Sequence, residues 1–151
     1  MSAFTKLRRL PAGERTELVR AFWRLLVVRL LLATVGIKRT QQWLPLDPAV
    51  EDDRVADLAA WRRRALAIKR VGARLPGVRC LARALCLCWW MRSRGVTAEL
   101  RMGVRRDEHG RVLGHAWVEY DATPVDETAE VVARFQPIQW REAGTVDLVD
   151  R

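Results

Sequence analysis

Residues 75–120 read LPGVRCLARALCLCWWMRSRGVTAELRMGVRRDEHGRVLGHAWVEY, and inside this stretch the hydrophobic period changes from that of a helix to that of a strand. Leu75-Pro76-Gly77 breaks the chain. From Cys80 to about Arg94, Leu81, Leu85, Cys88 and Trp89 fall on one face of a helix, and Leu87, Trp90 and Met91 widen its apolar part. This predicts a central core helix, with Gly95 where a left-handed cap is wanted. Over 96–104 the period becomes 2: Ala98, Leu100, Met102 and Val104 alternate with Thr97, Glu99, Arg101 and Gly103. Residues 106–110, Arg-Asp-Glu-His-Gly, form a polar turn. A second strand follows over 112–120, with Val112, Ala116, Val118 and Tyr120 on one face and Leu113, His115, Trp117 and Glu119 on the other. A helix followed by an antiparallel hairpin predicts an α+β fold.

That order also places chemistry. A helix start lowers a thiol's pKa through its unpaired N–H groups and its dipole, and Cys80 is the one cysteine at such a position. Cys86 and Cys88 lie inside the apolar helix, where thiols act as small inert hydrophobes. Of the two histidines, His109 sits in the polar turn and His115 in mid-strand, where it is held rigidly enough to serve as a base. A carboxylate to orient the imidazole would come from the segment after the next turn: Asp126 is the first candidate, with Asp121 and Glu127 as competitors. Glu119 shares the face of His115 but lies two residues along, so it is expected to point past the ring. Trp117, on the same face, is open to three roles: a wall of the cleft, a support for the histidine, or a core residue.

Outward from this centre, residues 12–36 read as one helix ending at Gly36. Its run LLVVRLLLATV is too short to span a bilayer and is interrupted by arginine. It is therefore expected either to dock on the core or a partner protein, or to lie in a membrane interface aided by Arg20, Arg24, Lys38 and Arg39. Residues 43–48 are a loop bracketed by Pro45 and Pro48. A second helix is expected over 50–74, with Glu51, Asp52 and Asp53 in its first turn and Arg62, Arg63, Arg64, Lys69, Arg70 and Arg74 later, a polarity that complements the helix dipole. Val55, Leu58, Ala59, Leu66 and Val71 give it a candidate buried stripe. Val125-Asp126 is expected to open a third strand, and residues 131–151 to hold one or two short edge elements.

The chain has 151 residues, half of them hydrophobic, so one domain with a substantial core is expected: a helical part over 1–74 and a cysteine helix with its sheet over 75–151. The net charge is +9, and only Lys6, Lys38 and Lys69 are lysines among 27 basic residues. A basic peptide- or nucleic-acid-binding module is one reading of this charge, but no aromatic–basic interleaving supports nucleic acid. Three cysteines in nine positions make neither a disulfide framework nor a zinc site: no C-x-x-C occurs, and on a helix Cys86 and Cys88 point roughly 200° apart. No metal or cofactor is implied. A reducing cytoplasm fits, and the N-terminus lacks signal-peptide architecture.

The residues C-L-A-R-A-L from Cys80, R-G-V from Arg94, M-G-V from Met102, G-H-A-W-V-E from Gly114 and V-D at Val125-Asp126 resemble the stand-alone transglutaminase-like leader peptidases of lasso-peptide biosynthesis. The resemblance covers residues 75–126. It implies a reduced papain/transglutaminase-like core, with N-terminal helices and the cysteine helix packed on a small antiparallel sheet. It implies a cysteine peptidase with a Cys80–His115–Asp126 triad that cuts a ribosomally made precursor at the leader–core junction. The partners implied are the precursor peptide, a separate leader-recognition protein and an ATP-dependent macrolactam cyclase. An acyltransferase on the same scaffold would use the same residues.

Overall fold

The computed structural model describes residues 11–44, 57–140 and 146–148. The helix expected over 12–36 is present and ends two residues earlier, and a second helix follows it directly. α1 (Ala12–Thr34) closes with the Val35 N–H on the Leu31 carbonyl (2.9 Å), and Gly36, at φ 76°, turns the chain into α2 (Gly36–Trp43). That φ is costly for any residue with a Cβ, so the glycine marks the junction between two helices and not the end of helical structure. Thr40 of α2 is fully buried and donates its hydroxyl to the Gly36 carbonyl at 2.8 Å.

α1 carries apolar residues on two opposite sides, and these have different fates. Ala21, Leu25 and Val28 are wholly buried against the rest of the core. On the opposite side Val19, Trp23, Val27 and Leu30 are exposed. No helix among the described residues is long and apolar enough to cross a membrane.

α3 (Leu58–Gly72) begins at Asp57, whose carboxylate accepts the Ala60 N–H at 3.0 Å, the N-cap bond that satisfies a first-turn donor. The earlier start expected at residue 50, with Glu51, Asp52, Asp53 and Val55, lies outside the described residues. Of the stripe expected, Leu58 and Val71 pack against the core, but Ala59 and Leu66 are exposed, and the buried face is made by Trp61, Ala65, Ile68 and Gly72. Tryptophan decides this, because Trp61 buries more apolar area than any aliphatic on the helix and meets Trp90 edge to face at 6.3 Å. Gly72 lets the next helix approach: a Cβ there would sit 3.1 Å from a Val78 methyl and 3.2 Å from Arg83 Cδ.

α4 (Cys80–Arg92) is the central helix, with Leu85, Cys86, Leu87, Cys88, Trp90 and Met91 buried. It ends in a Schellman motif. Gly95 takes φ 76°, its N–H bonds the Arg92 carbonyl (3.0 Å), and the Val96 N–H bonds that of Met91 (3.1 Å).

The strands are β1 (Glu99–Arg106), β2 (Val112–Tyr120), β3 (Thr123–Pro124), β4 (Gln136–Trp140) and β5 (Val146–Leu148), with the short helix α5 (Ala129–Val132) before β4. They form one antiparallel sheet in the order β3-β2-β1-β4-β5. The hairpin register pairs Glu99 with Glu119 and Arg106 with Val112. Its alternation sends Leu100, Met102, Ala116 and Val118 toward the core that contains α4. Glu99, Arg101, Gly103, His115, Trp117 and Glu119 share the other face. The tail closes the second edge of β1, since Met102 pairs with Ile138. This is the α+β fold expected, a cysteine-bearing helix packed on a small antiparallel sheet.

The third strand falls at Thr123–Pro124, and the Val125 N–H extends its pairing onto the Val118 carbonyl at 2.9 Å. Asp121 and Ala122 join β2 to β3 in a two-residue loop, at φ 47° and 55°. Positive φ at both central positions is the type I′ signature, whose second position favours glycine. Ala122→Gly is therefore expected to raise stability by about 0.5–1 kcal/mol, read as a higher urea midpoint at unchanged m. A lower midpoint would show that the loop is not held in this conformation.

Candidate active site

Cys80 is the first residue of α4, half-buried, and follows Arg79 in extended conformation (φ −107°, ψ −177°). No side chain caps this end. The first N–H groups of the helix are thus left to a ligand or solvent beside the thiol, together with the positive end of the dipole. The other thiols are of a different kind. Burial pushes Cys86 up to about 12, only partly opposed by the Arg24 charge. Burial likewise pushes Cys88 up to about 11 against Arg92, and its thiol lies 3.6 Å from the Ala98 carbonyl. Neither is a thiolate at neutral pH.

A cavity opens at the head of α4. Cys80, Arg83, Lys69, Ala116, Asp126 and Glu127 line it. Cations and carboxylates from α3, α4 and the segment after β3 share the cavity with the thiol, alongside Ala65, Ile68 and Leu87. Among the described residues no cluster of His, Cys, Asp and Glu could hold a metal ion.

Asp126 is fixed by the backbone: one carboxylate oxygen accepts the Val118 N–H at 2.8 Å, tying the strand after the turn to β2. Burial raises its pKa to about 6; the Val118 bond and Arg83 work against that, and neighbouring Glu127 adds to it. A raised carboxyl pKa makes the folded state hold its proton longer than the unfolded one. Its contribution to stability is complete below about pH 4 and is lost as pH rises through about 6, worth on the order of 3 kcal/mol. Asp126→Asn keeps the acceptor for Val118 and removes the titration. Urea midpoints measured from pH 4 to pH 7.5 are expected to fall less in this variant than in the parent protein; parallel curves would contradict a buried carboxylate.

His115 stands on the sheet face opposite Ala116 and Val118. Its ring lies against Phe135 (centroids 5.0 Å, 27°) and Trp117 (6.2 Å, 22°), which also meet each other at 6.5 Å, so the three rings form one cluster. The indole N–H of Trp117 donates to Glu119 at 2.8 Å, and Glu119 in turn meets Arg101 Nε at 3.1 Å. Glu119 therefore points past the imidazole, as its register implied. Gly103, paired with His115, makes room for this stack. A Cβ there would fall 2.8 Å from Phe135 Cβ, 2.9 Å from the Gln136 carbonyl and 3.0 Å from the Trp117 ring.

The carboxylate beside the imidazole is Glu127: its Oε1 lies 3.2 Å from His115 Nε2, both side chains being largely buried. The oxygen is off the ring N–H direction, so this is a contact at hydrogen-bond distance without hydrogen-bond alignment. The expected Asp126–His115 pairing is thus not the one formed. Asp126 is drawn to the β2 backbone, and its successor, one residue further along, faces the histidine. The structure brings Cys80, Asp126 and Glu127 to one cavity; His115 does not line it and stands on the opposite face of the sheet from Ala116, which does, its link to the cavity being the contact with Glu127. Trp117 is buried and absent from the cavity lining, so it supports the histidine and does not wall the cleft. His109 is exposed in the β1–β2 turn, beside Glu108 at 3.6 Å.

Phe135 and Gly103 had no place in the sequence-derived site. Phe135 reaches it only because β4 pairs with β1, a contact no local pattern encodes. A glycine interrupting an otherwise regular strand was the one available signal.

No curated protein and no solved structure matches the chain. A family model does: the transglutaminase-like superfamily, over residues 24–139, from α1 through the cysteine helix to β4. Folds of this kind are typically those of cysteine peptidases or acyltransferases, in keeping with a thiol at an uncapped helix start. The chain belongs to the transglutaminase-like superfamily.

Proposed function

We propose that the protein is a cysteine peptidase that removes the leader from a ribosomally made lasso-peptide precursor. The observation that carries the chemistry is the position of Cys80: half-exposed at the uncapped start of α4, on a cavity shared with Asp126 and Glu127, while Cys86 and Cys88 are buried and protonated. The substrate class rests on the resemblance of residues 75–126 to lasso leader peptidases. The Cys80 thiolate attacks the carbonyl of the last leader residue, and the first-turn N–H groups of α4 receive the oxyanion. His115 gives a proton to the departing amine, which becomes the N-terminus of the core peptide. It then takes a proton from water as the water hydrolyses the thioester.

The precursor would be presented by a separate leader-recognition protein and the product passed to an ATP-dependent macrolactam cyclase, all in a reducing cytoplasm. The exposed stripe Val19, Trp23, Val27 and Leu30 on α1 supports a partner surface. No acidic residue occurs over 18–46, so an acidic partner, or less directly an anionic membrane surface, would suit it.

The test is incubation with a precursor peptide and a leader-binding protein, followed by mass spectrometry. Cleavage at one bond, with addition of water, is the expected product. Loss of ammonia with a new cross-link would replace peptidase by acyltransferase. Binding that weakens steeply with salt, with no covalent change, would point to a basic binding module instead.

A further inference from the structure

We infer that the open edge of β2, residues 112–116, receives the substrate as an added extended strand and leads its main chain into the Cys80 cavity. This rests on the reading of Cys80 as a peptidase nucleophile, and deepens it by naming how the peptide is held.

Both main-chain groups of Val118 point away from β1: its N–H meets the Asp126 carboxylate at 2.8 Å, and its carbonyl accepts the Val125 N–H at 2.9 Å. In an antiparallel ladder this direction alternates from residue to residue, so Ala116, Gly114 and Val112 also turn their N–H and C=O groups away from β1. β3 is two residues long and covers only Glu119 and Tyr120. Among the described residues no strand pairs with 112–116 on this side, and the outward groups of Ala116, Gly114 and Val112 make no main-chain hydrogen bond. Three donors and three acceptors therefore stand in a row about 13 Å long, at strand spacing. Such an edge is a template for another extended chain, which offers the same groups in return.

The place of this edge selects the substrate as that chain. Ala116 lines the cavity that holds Cys80, so the row of main-chain groups runs from the thiol's cavity out to the surface. Nothing blocks it along the way: Gly114, on the same face of β2 as Ala116, is exposed, and a Cβ built on it would meet no atom within 4 Å. The other end is closed, because Val125 and Asp126 occupy Val118. A peptide laid on β2 thus enters from the side of the β1–β2 turn and ends beside Cys80. Main-chain recognition of this kind tolerates many side chains next to the scissile bond but not proline at a bonding position.

Gly114→Pro removes the outward N–H and leaves the ladder to β1 in place, the kind of edge position where strands tolerate proline. Its kcat/KM on a synthetic peptide spanning the leader–core junction, with the leader-binding protein present, is expected to fall about three- to tenfold through a higher KM, the loss of one neutral hydrogen bond. If circular dichroism shows that this variant does not fold, Val112→Pro, at the first residue of the strand, takes its place. A second readout needs no turnover: amide hydrogen exchange of Cys80→Ala protein with and without saturating peptide. The Val112 and Gly114 amides are expected to slow at least about tenfold, while those of Leu113 and His115, already turned to β1, change little.

No slowing at Val112 and Gly114 under saturating peptide overturns the inference, and so does a folded proline variant with the parent's kcat/KM. Slowing that grows with protein concentration in the absence of peptide assigns the edge to a second copy of the chain and overturns it as well. Cleavage that requires Cys80 but leaves both amides unprotected defeats the strand addition alone. Protection of both amides by a peptide that the parent protein does not cut leaves the strand addition in place and defeats the peptidase reading.

Discussion

Cys80→Ala is expected to lower precursor cleavage at least about 10³-fold with the fold intact, whereas Cys86→Ala retains activity in its folded fraction. The contrast follows from where each sulfur sits. Cys86, pushed up to about 12 by burial, stays a protonated thiol at neutral pH, and its sulfur is sealed in the core. Replacing it with alanine removes buried volume and costs about 1 kcal/mol of stability. Cys80 lies on the cavity at the uncapped start of α4, where the first-turn N–H groups could receive an oxyanion. Iodoacetamide is accordingly expected to label Cys80 in the folded protein and to reach Cys86 and Cys88 only after denaturation, as peptide mapping would read directly. Activity surviving in Cys80→Ala, or its loss in a folded Cys86→Ala protein, would show that the wrong thiol has been assigned.

Trp90→Ala is expected to cost about 3–5 kcal/mol, the range for removing a buried large aromatic. This residue joins three helices. It is almost completely buried in α4, meets Trp61 of α3 edge to face at 6.3 Å, and carries the Arg24 guanidinium of α1 at 4.9 Å from its ring centroid. Arg64 of α3 approaches the same ring at 5.8 Å and pairs with Glu17 of α1 at 3.3 Å. Truncation therefore opens a cavity and removes the aromatic face that balances a partly desolvated Arg24, whose pKa burial already lowers. Against a typical total of about 5–15 kcal/mol, the variant would be marginal at 37 °C. Urea unfolding should show a much lower midpoint; a loss below about 1 kcal/mol would mean that the three helices do not pack through this ring.

Arg24 shows where a sequence reading stops. In the linear chain it is a charge interrupting an apolar run. In the fold it lies between Trp89, at 5.3 Å, and Trp90, and helps hold α1 on α4. The aromatic partners are more than 60 residues away, and nothing in the helical period of α1 announces them. α3 is a similar case: the aliphatic stripe through Leu66 was a fair reading of spacing, but the inward face went to Trp61, whose partner belongs to another helix.

What the sequence determined by itself was local in origin. The change of period from 3.6 to 2 set the order of cysteine helix and hairpin, Leu75-Pro76-Gly77 and Gly95 bounded that helix, and strict alternation put His115, Trp117 and Glu119 on one face. It also separated Cys80 from Cys86 and Cys88, because a helix start and a helix interior are different environments whatever surrounds them. Only the tertiary structure decided which carboxylate meets the histidine, that Phe135 packs on its ring, and which side of α1 is covered. The reason is that these depend on pairings between distant segments. Val118 draws Asp126 to the backbone, and the bend over 125–127 leaves the next residue, Glu127, to meet the histidine.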